Sequence, residues 1–260
     1  MDIGVTQWTL DVKGVATVAR ASELGFDYLQ LDAGGWSEWP EKLDATNRDA
    51  YAQASEETGV KLVGIGVNPV NEYSLLSRAG SDELRQAVAF VTRSLEQASY
   101  LNIPLVYVPG FNASEMKSDS DIRKTAEVLA DLAGHAAEHG IELASENTLD
   151  AAGQLKLLDY ADSPNLKLFI DTQNPTLWGR EVAGMLEPLK PHLCNQMHAK
   201  DGRGGVMGNA PLGEGEAQFE RTAKEIKRLG LTPLLISENE YGEDAERLAA
   251  KDSATLERLF

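Results

Sequence analysis

The sequence repeats one pattern eight times, a short apolar run followed by a longer amphipathic stretch. The apolar runs predict strands at Ile3–Gln7, Tyr28–Leu31, Lys61–Val67, Leu105–Val108, Glu142–Ser145, Lys167–Ile170, Leu193–Met197 and Leu234–Ser237. Apolar residues spaced three and four apart predict helices between them, as at Asp82–Tyr100, Asp121–His139 and Gln218–Leu229. The 260 residues allow about 32 for each strand–helix unit. This arrangement is typical of an α/β protein with a (β/α)8 TIM barrel.

The chain has no composition break that would mark a linker, so we expect a single domain over residues 1–260. A helix-ending glycine or a turn precedes five of the predicted strands, at Gly25, Gly59, Gly140, Pro164 and Gly230. A doubly wound open sheet would use the same alternation of strands and helices. It most often carries a glycine-rich turn after its first strand, and the stretch Thr6–Leu10 has no glycine. The sequence therefore favours the closed barrel.

The charge balance argues against several classes of partner. The chain has 24 Lys and Arg against 41 Asp and Glu, a net charge of −17, which repels nucleic acid and anionic membrane surfaces. No apolar run approaches the roughly 18 residues of a membrane span. The start Met1-Asp2-Ile3-Gly4 lacks the features of a signal peptide, and the single Cys194 excludes an intramolecular disulfide. We expect a cytoplasmic protein without nucleic-acid or membrane partners.

Acidic residues and one histidine follow the last four predicted strands: Glu146, Asp171, His198 and Glu238. In a barrel the chemistry lies where strands end, so these side chains are expected to face one another. Converging carboxylates repel unless a cation neutralises them. Three oxygen donors and one imidazole suit Mn²⁺ or Mg²⁺ first, with Co²⁺, Fe²⁺ and Zn²⁺ also compatible. Each residue alone equally fits a solvated loop or a helix cap, and their joint occurrence on four successive strands favours a metal site.

Other polar and aromatic residues near strand ends are candidates for substrate binding. The predicted set is Trp8, Gln30, Trp36, Asn68, Asn112, Asn174, Lys200, Asp201 and Arg203. The tryptophans would supply an apolar wall for a sugar, although burial beneath loops explains each equally well. The charged residues that follow His198 would either bind sugar hydroxyls or form a polar surface turn; they are Lys200, Asp201 and Arg203.

Five motifs carry a resemblance that covers essentially the whole chain: Leu143–Asn147, Phe169–Thr172, Met197–Asp201, Pro211–Glu216 and Ile236–Glu238. With them the chain resembles the sugar phosphate isomerase/epimerase family of xylose-isomerase-like barrels, which includes ketose 3-epimerases, hydroxypyruvate isomerases and inosose dehydratases. The resemblance implies one divalent metal, commonly Mn²⁺, on Glu146, Asp171, His198 and Glu238. It also implies that the two glutamates act as an acid/base pair, and it suggests a homodimer or homotetramer.

Two positions depart from that family. Asn174 stands where many members have a histidine that contacts substrate, and an amide cannot shuttle a proton near neutral pH. Gln30 stands where relatives often have a carboxylate. Nuclease members of the superfamily bind three metals through many more histidines than this chain has, and the net charge of −17 is wrong for DNA.

The expected function is a sugar isomerase or epimerase of carbohydrate metabolism, acting on a ketose or keto-sugar through a cis-enediolate. Glu146 and Glu238 would remove and return the proton. A lyase or dehydratase acting on a keto-sugar or keto-inositol shares this intermediate, and a sugar-binding protein without turnover is the second alternative. Glu214 lies between the glycines of the loop Gly213–Gly215 and Glu216 follows it, and these two acidic residues favour a neutral sugar over a sugar phosphate.

Overall fold

A computed structural model describes residues 3–260. It contains eight strands, β1 Ile3–Thr6, β2 Tyr28–Asp32, β3 Lys61–Gly66, β4 Leu105–Gly110, β5 Glu142–Asn147, β6 Leu166–Asp171, β7 Leu193–Ala199 and β8 Leu234–Ser237. Each of them matches one predicted strand. Met1 and Asp2 lie outside the described residues. They belong to the stretch Met1-Asp2-Ile3-Gly4, from which we expect no signal peptide.

The strands are hydrogen-bonded in the closed order β1 to β8, and the last strand pairs with the first. Val5 of β1 lies opposite Leu29 of β2 on one side and opposite Ser237 of β8 on the other, both in parallel register. A doubly wound sheet has two edge strands, whereas the closed order gives every one of the eight strands two neighbours. The predicted TIM barrel is therefore confirmed, and the open sheet is excluded.

Nine helices occur in the described part of the chain: α1 Ala16–Glu23, α2 Arg48–Thr58, α3 Asp82–Leu101, α4 Asp119–Glu138, α5 Ala151–Ala161, α6 Asn174–Leu177, α7 Val182–Leu189, α8 Phe219–Arg228 and α9 Ala245–Leu259. Local capping sets where several begin. Ser81 and Ser118 accept hydrogen bonds from main-chain N–H groups in the first turns of α3 and α4, and Asp150 does so for α5. Gly140 follows α4 with a φ of 68°, a left-handed conformation that ends the helix at little cost. Within residues 3–260, no helix is long and apolar enough to cross a membrane.

The residues group into two compact units. The first unit comprises three segments: the described residues up to Gln30, Ala50–Leu62 and Ile170–Phe260. The second unit comprises Leu31–Asp49 and Val63–Phe169. In the second unit, the rings of Tyr107 and Phe169 stack with centroids 4.5 Å apart. The single domain over residues 1–260 stays a prediction.

The strands β4 to β7 run further than the apolar pattern predicts. Pairing between β4 and β5 continues through Pro109–Glu146 and Gly110–Asn147, because parallel backbone hydrogen bonding does not depend on side-chain polarity. Glu146, Asp171 and His198 consequently lie within the last residues of their strands, and Glu238 directly follows β8. Gln7, predicted to end β1, instead begins a short 3₁₀ helix.

Candidate metal centre and active site

Four side chains from the ends of β5 to β8 come together as a candidate metal centre. Glu146, Asp171, His198 and Glu238 each offer one ligand atom, and these atoms all lie within 4.8 Å of one another. Three carboxylate oxygens and one imidazole nitrogen are donors that Mn²⁺ and related divalent ions accept. The residues present therefore fit the metal that the sequence predicts.

His198 presents its Nδ1 atom to the acidic ligands. This nitrogen lies 2.9 Å from Oε2 of Glu238 and 3.7 Å from Oδ2 of Asp171. The His198 ring is completely buried, and the Glu238 side chain is 13% exposed. Glu238 is thus the member of this pair that keeps contact with solvent.

The two carboxylate oxygens of Asp171 face different groups. Oδ1 accepts hydrogen bonds of 2.6 Å from the main-chain N–H groups of both Gln173 and Asn174 at the start of α6. Oδ2 is buried, and it has no hydrogen-bond partner among the described residues, although Nζ of Lys200 lies 3.0 Å away as an ion pair. A buried oxygen left without a hydrogen bond is suited to a cation.

Lys200 lies against the ligand carboxylates, which the sequence analysis did not foresee. Its Nζ atom is 2.6 Å from Oε2 of Glu238 and 3.0 Å from Oδ2 of Asp171, and the side chain is 4% exposed. Its ammonium group therefore neutralises part of the acidic cluster. Its predicted contact with substrate stays a prediction.

Opposing effects act on the pKa of Glu238. Burial raises it, but the positive charges of His198 and Lys200 outweigh burial and hold the pKa well below its usual range. Glu238 is therefore ionised near neutral pH. An ionised carboxylate can bind a cation or accept a proton.

Trp8 is fixed to the same glutamate. Its indole Nε1–H donates a 3.0 Å hydrogen bond to Oε1 of Glu238, and its ring meets the His198 ring edge-on at 6.2 Å. The predicted apolar wall at Trp8 thus also orients a candidate catalytic carboxylate.

The structure places Gln30, a predicted substrate-binding residue, beside His198. Gln30 is fully buried, and its amide bonds His198 and Gln196 at 2.8 Å each. Both ends of the amide are therefore occupied by protein. Gln30 and its two partners lie more than 160 positions apart in sequence, so no local pattern records these contacts, and substrate binding by Gln30 stays a prediction.

Two other predicted substrate-binding residues, Asp201 and Arg203, lie in the loop that follows β7. The carboxylate of Asp201 accepts hydrogen bonds from four main-chain N–H groups: Gly202, Gly213, Gly215 and Ala217. These hydrogen bonds hold the loop around the Asp201 carboxylate, and contact of Asp201 with substrate stays a prediction. Arg203 is exposed and donates to the carbonyl oxygen of Glu214 at 2.7 Å. It forms the polar surface turn that was the alternative interpretation.

Within the unit that comprises Leu31–Asp49 and Val63–Phe169, hydrogen bonds join three residues: Asp32 and Asn68, which are buried, and Trp36, which is half-buried. Oδ1 of Asp32 accepts from the main-chain N–H of Gly34 at 2.6 Å and from Nε1 of Trp36 at 3.2 Å. Oδ2 accepts from Nδ2 of Asn68 at 2.7 Å. Burial raises the pKa of Asp32 to about 6, despite these hydrogen bonds.

The two remaining predicted residues differ in exposure. Asn112 is exposed, at the start of a short 3₁₀ helix, with a φ of 47°. Asn174 is buried, and its Oδ1 has no hydrogen-bond partner among the described residues. Substrate binding by Trp36, Asn68, Asn112 and Asn174 stays a prediction.

Sequence reasoning missed a buried network around Asp252 of α9. Its carboxylate accepts from the main-chain N–H of Leu212 at 2.8 Å, from Nδ2 of Asn239 at 2.7 Å and from the Tyr241 hydroxyl at 3.2 Å. Oδ1 of Asn239 in turn accepts from the main-chain N–H of Asp201 at 2.9 Å. A signal was present, since Asp252 interrupts the apolar face formed by the other buried residues of the helix, Ala245, Ala249 and Leu256.

Comparison with known proteins agrees with this geometry. The model of the xylose isomerase-like TIM barrel family matches residues 18–259. The chain belongs to this family. Its members that resemble the chain include 2-epi-5-epi-valiolone 7-phosphate 2-epimerase from Actinoplanes sp. (strain SE50/110), which is 32% identical over 92% of this chain and 87% of that protein. The L-ribulose-5-phosphate 3-epimerase UlaE of Salmonella heidelberg is 27% identical over 89% of this chain and 83% of that protein.

Among solved structures, a D-tagatose 3-epimerase-like protein superposes with a TM-score of 0.82. The match covers 100% of this chain and 97% of that chain, at 18% sequence identity. At this identity the likeness shows the xylose isomerase-like fold alone. The prediction that the chain is an enzyme of the isomerase class is confirmed by relatives that are named epimerases.

Proposed function

We propose that the chain is a divalent-metal-dependent epimerase of a ketose or keto-sugar, with Glu146 and Glu238 as the acid/base pair. The observation that carries the proposal is the convergence of these two glutamates with Asp171 and His198 on one set of ligand positions. Mn²⁺ is the metal that we expect first. An ion held there would polarise the carbonyl of a bound sugar and acidify the neighbouring C–H bond.

The two glutamates would perform the proton transfer. One carboxylate removes the proton from the carbon beside the carbonyl, and the other returns a proton to the opposite face of that carbon. Glu238 is available as the base because its carboxylate is ionised, and Trp8 fixes the orientation of that carboxylate. Return of the proton to the neighbouring carbon would give aldose–ketose isomerisation instead.

We include phosphorylated as well as free ketoses among the proposed substrates. The two relatives above are named for phosphorylated compounds. The case for a neutral sugar rested on Glu214 and Glu216, and both carboxylates have partners. Glu214 pairs with Lys251 at 2.6 Å, and Oε2 of Glu216 accepts from the main-chain N–H of Gly204 at 3.0 Å. Lys251 therefore offsets the charge of Glu214, whereas Glu216 keeps its negative charge, and the proposal of a phosphorylated substrate is supported by the names of the two relatives.

Solvent deuterium exchange into a panel of free and phosphorylated ketoses tests the proposal. We expect Mn²⁺-dependent exchange at the carbon beside the carbonyl, reduced about 100-fold or more in Glu146→Gln and in Glu238→Gln. Glu243→Gln is the matched control, since Glu243 is exposed and close in sequence to Glu238. Exchange that persists in both active-site variants would contradict the proposed pair.

The same panel separates the alternative functions. A dehydratase would release water and give an unsaturated ketone, which NMR of the product identifies. A sugar-binding protein would bind a ketose without exchange or elimination. Epimerisation alone yields a deuterated sugar of inverted configuration.

A further inference from the structure

We propose that Gln173 is a positioning residue, which holds the segment Val206–Gly208 in place to contact the substrate. We call Val206–Gly208 the rim segment. Its two exposed apolar side chains pack against the C–H groups of a bound sugar. This inference rests on the proposed function, because it requires a sugar at the candidate metal centre.

The side chain of Gln173 binds the rim segment at both of its ends. Its Nε2 donates a 2.9 Å hydrogen bond to the main-chain oxygen of Val206, and its Oε1 accepts a 2.9 Å hydrogen bond from the main-chain N–H of Gly208. Gln173 and Gly208 are both buried. The donor and the acceptor of one amide are thus both used on the rim segment, which fixes the segment relative to the start of α6.

Gly202 leaves room for this junction. A Cβ atom at residue 202 would overlap with the main-chain oxygen of Val206 and with Nε2 of Gln173. Any larger residue would therefore displace the amide or the rim segment, so glycine is required here for close packing.

The rim segment also packs against the residues that follow β8. The main-chain oxygen of Gly208 accepts a 2.9 Å hydrogen bond from the N–H of Glu240. Gly208 has a φ of 63°, and a Cβ atom there would lie 3.0 Å from the main-chain oxygen of Glu238. The rim segment therefore lies directly on the backbone of a candidate catalytic residue.

Gln173 is connected to the candidate metal centre as well. Its main-chain N–H donates a 2.6 Å hydrogen bond to Oδ1 of Asp171, two residues before it. The same residue thus contacts a candidate metal ligand through its main chain and the rim segment through its side chain. These contacts place the rim segment beside the strand ends that carry Asp171 and Glu238.

Exposed apolar side chains are concentrated at this place. Within residues 3–260 five large apolar side chains are exposed, and four of them lie on the two segments that Gln173 joins: Leu177, Trp178, Val206 and Met207. Val206 is 53% exposed and Met207 is 42% exposed. Apolar groups exposed together beside polar ones mark a binding surface. A sugar presents C–H groups as well as oxygens, so this surface suits the carbon chain of a ketose whose oxygens face the metal centre.

Amide hydrogen exchange, followed by NMR, tests the positioning without metal, substrate or turnover. Gln173→Met keeps the length of the side chain and removes both polar groups, so the N–H of Gly208 loses its acceptor. We expect this N–H to exchange about 10-fold faster than in the parent. Gln97→Met is the matched control, because Gln97 is also buried but lies near the C-terminal end of α3, close to the start of β4. Unchanged exchange at Gly208 in Gln173→Met, or equal acceleration in Gln97→Met, would overturn the positioning role.

Steady-state kinetics test the contact with substrate, using a ketose that the deuterium-exchange panel identifies. We expect Gln173→Met to raise KM about 10-fold and to change kcat by less than about 3-fold, because Trp8 still orients Glu238. The double variant Val206→Ala/Met207→Ala should show the same split between KM and kcat. A parental KM in the double variant would overturn the contact.

Combining the substitutions separates positioning from general destabilisation. Because Gln173 acts through the rim segment, adding Gln173→Met to the double alanine variant should raise KM no further, whereas independent effects would multiply. Multiplied effects would therefore contradict the proposal. The molecular mass in solution is measured alongside, and a changed mass with a parental KM would assign the apolar surface to contact between copies of the chain instead.

Failure of this inference can be told from failure of the proposed function. A parent that neither converts nor binds any sugar of the panel overturns the proposed function and the substrate contact together, whereas exchange at Gly208 still decides whether Gln173 holds the rim segment. If Gln173→Met does not fold, Gly202→Ala takes its place, because its Cβ atom disturbs the same junction. Parental exchange at Gly208 in that variant would overturn the positioning role.

Discussion

Single residues of this protein serve two partners at once. Asp171 accepts two main-chain hydrogen bonds at the start of α6 through Oδ1, while Oδ2 faces Lys200 and the candidate metal centre. The helix-cap interpretation and the metal-ligand interpretation of this aspartate are therefore compatible. A carboxylate has enough lone pairs for both tasks, and the capping bonds orient the oxygen that faces the centre.

Asp32 gives a prediction of pH-dependent stability. Its pKa of about 6 in the folded protein exceeds the ordinary value of 3.8, so folding favours the protonated form. The cost of ionising the buried carboxyl is absent at low pH, and it rises to about 3 kcal/mol once the pH exceeds 6.

Asp32→Asn removes that cost. Between pH 5 and pH 8 we expect the variant to gain about 1.5 kcal/mol in free energy of unfolding relative to the parent, measured in urea. Comparing the two proteins at each pH cancels the titration of all other groups. A constant difference across this range would show that Asp32 does not titrate as a buried acid.

At the level of elements, the loop after β7 is attached to the C-terminal helix. The Asp201 carboxylate accepts hydrogen bonds from four main-chain N–H groups of this loop. Asp252 of α9 accepts a further hydrogen bond from the main-chain N–H of Leu212 in the same loop. Asn239, directly after Glu238, hydrogen-bonds both aspartate residues. The position of a candidate catalytic residue is thus connected to a helix that contributes no metal ligand.

Asp252→Ala is expected to destabilise the protein by about 3 kcal/mol, because three buried donors lose their acceptor. The measurement is the midpoint of urea unfolding. Glu257→Ala, on the exposed face of the same helix, should change stability by less than about 0.5 kcal/mol. Equal effects of the two substitutions would contradict a specific role for the buried network.

At the level of the whole molecule, three of the acidic residues that contribute to the net charge of −17 lie together at the candidate metal centre. Most carboxylates are on the surface, but Glu146, Asp171 and Glu238 converge with His198. These ligands come from four strands that lie between residues 142 and 238. A bound cation would therefore link distant parts of the chain and stabilise the folded state over the unfolded one.

Mn²⁺ at about one hundred times its dissociation constant should stabilise the fold by about 2.7 kcal/mol. For a protein of this size, that corresponds to a rise in Tm of about 5 °C or more, measured by calorimetry in Mn²⁺ and then in chelator. His198→Asn should show no such rise. An identical Tm of the parent in both conditions would contradict the metal centre.

The sequence by itself determined the barrel and the candidate ligand set. Periodicity is a local property, so eight strand–helix units and the acidic residues that follow the last strands are visible in the order of residues. The identity of Glu146, Asp171, His198 and Glu238 as one group followed from strand succession alone.

Only the tertiary structure decided what the supporting residues do. Gln30 hydrogen-bonds to His198, and Lys200 forms ion pairs with Glu238 and Asp171. Asp201 accepts hydrogen bonds from main-chain N–H groups of its own loop. Each assignment depends on which donor reaches which acceptor within about 3 Å. Residues far apart in sequence reach that distance only when the chain has folded, so no spacing in the sequence encodes these partners.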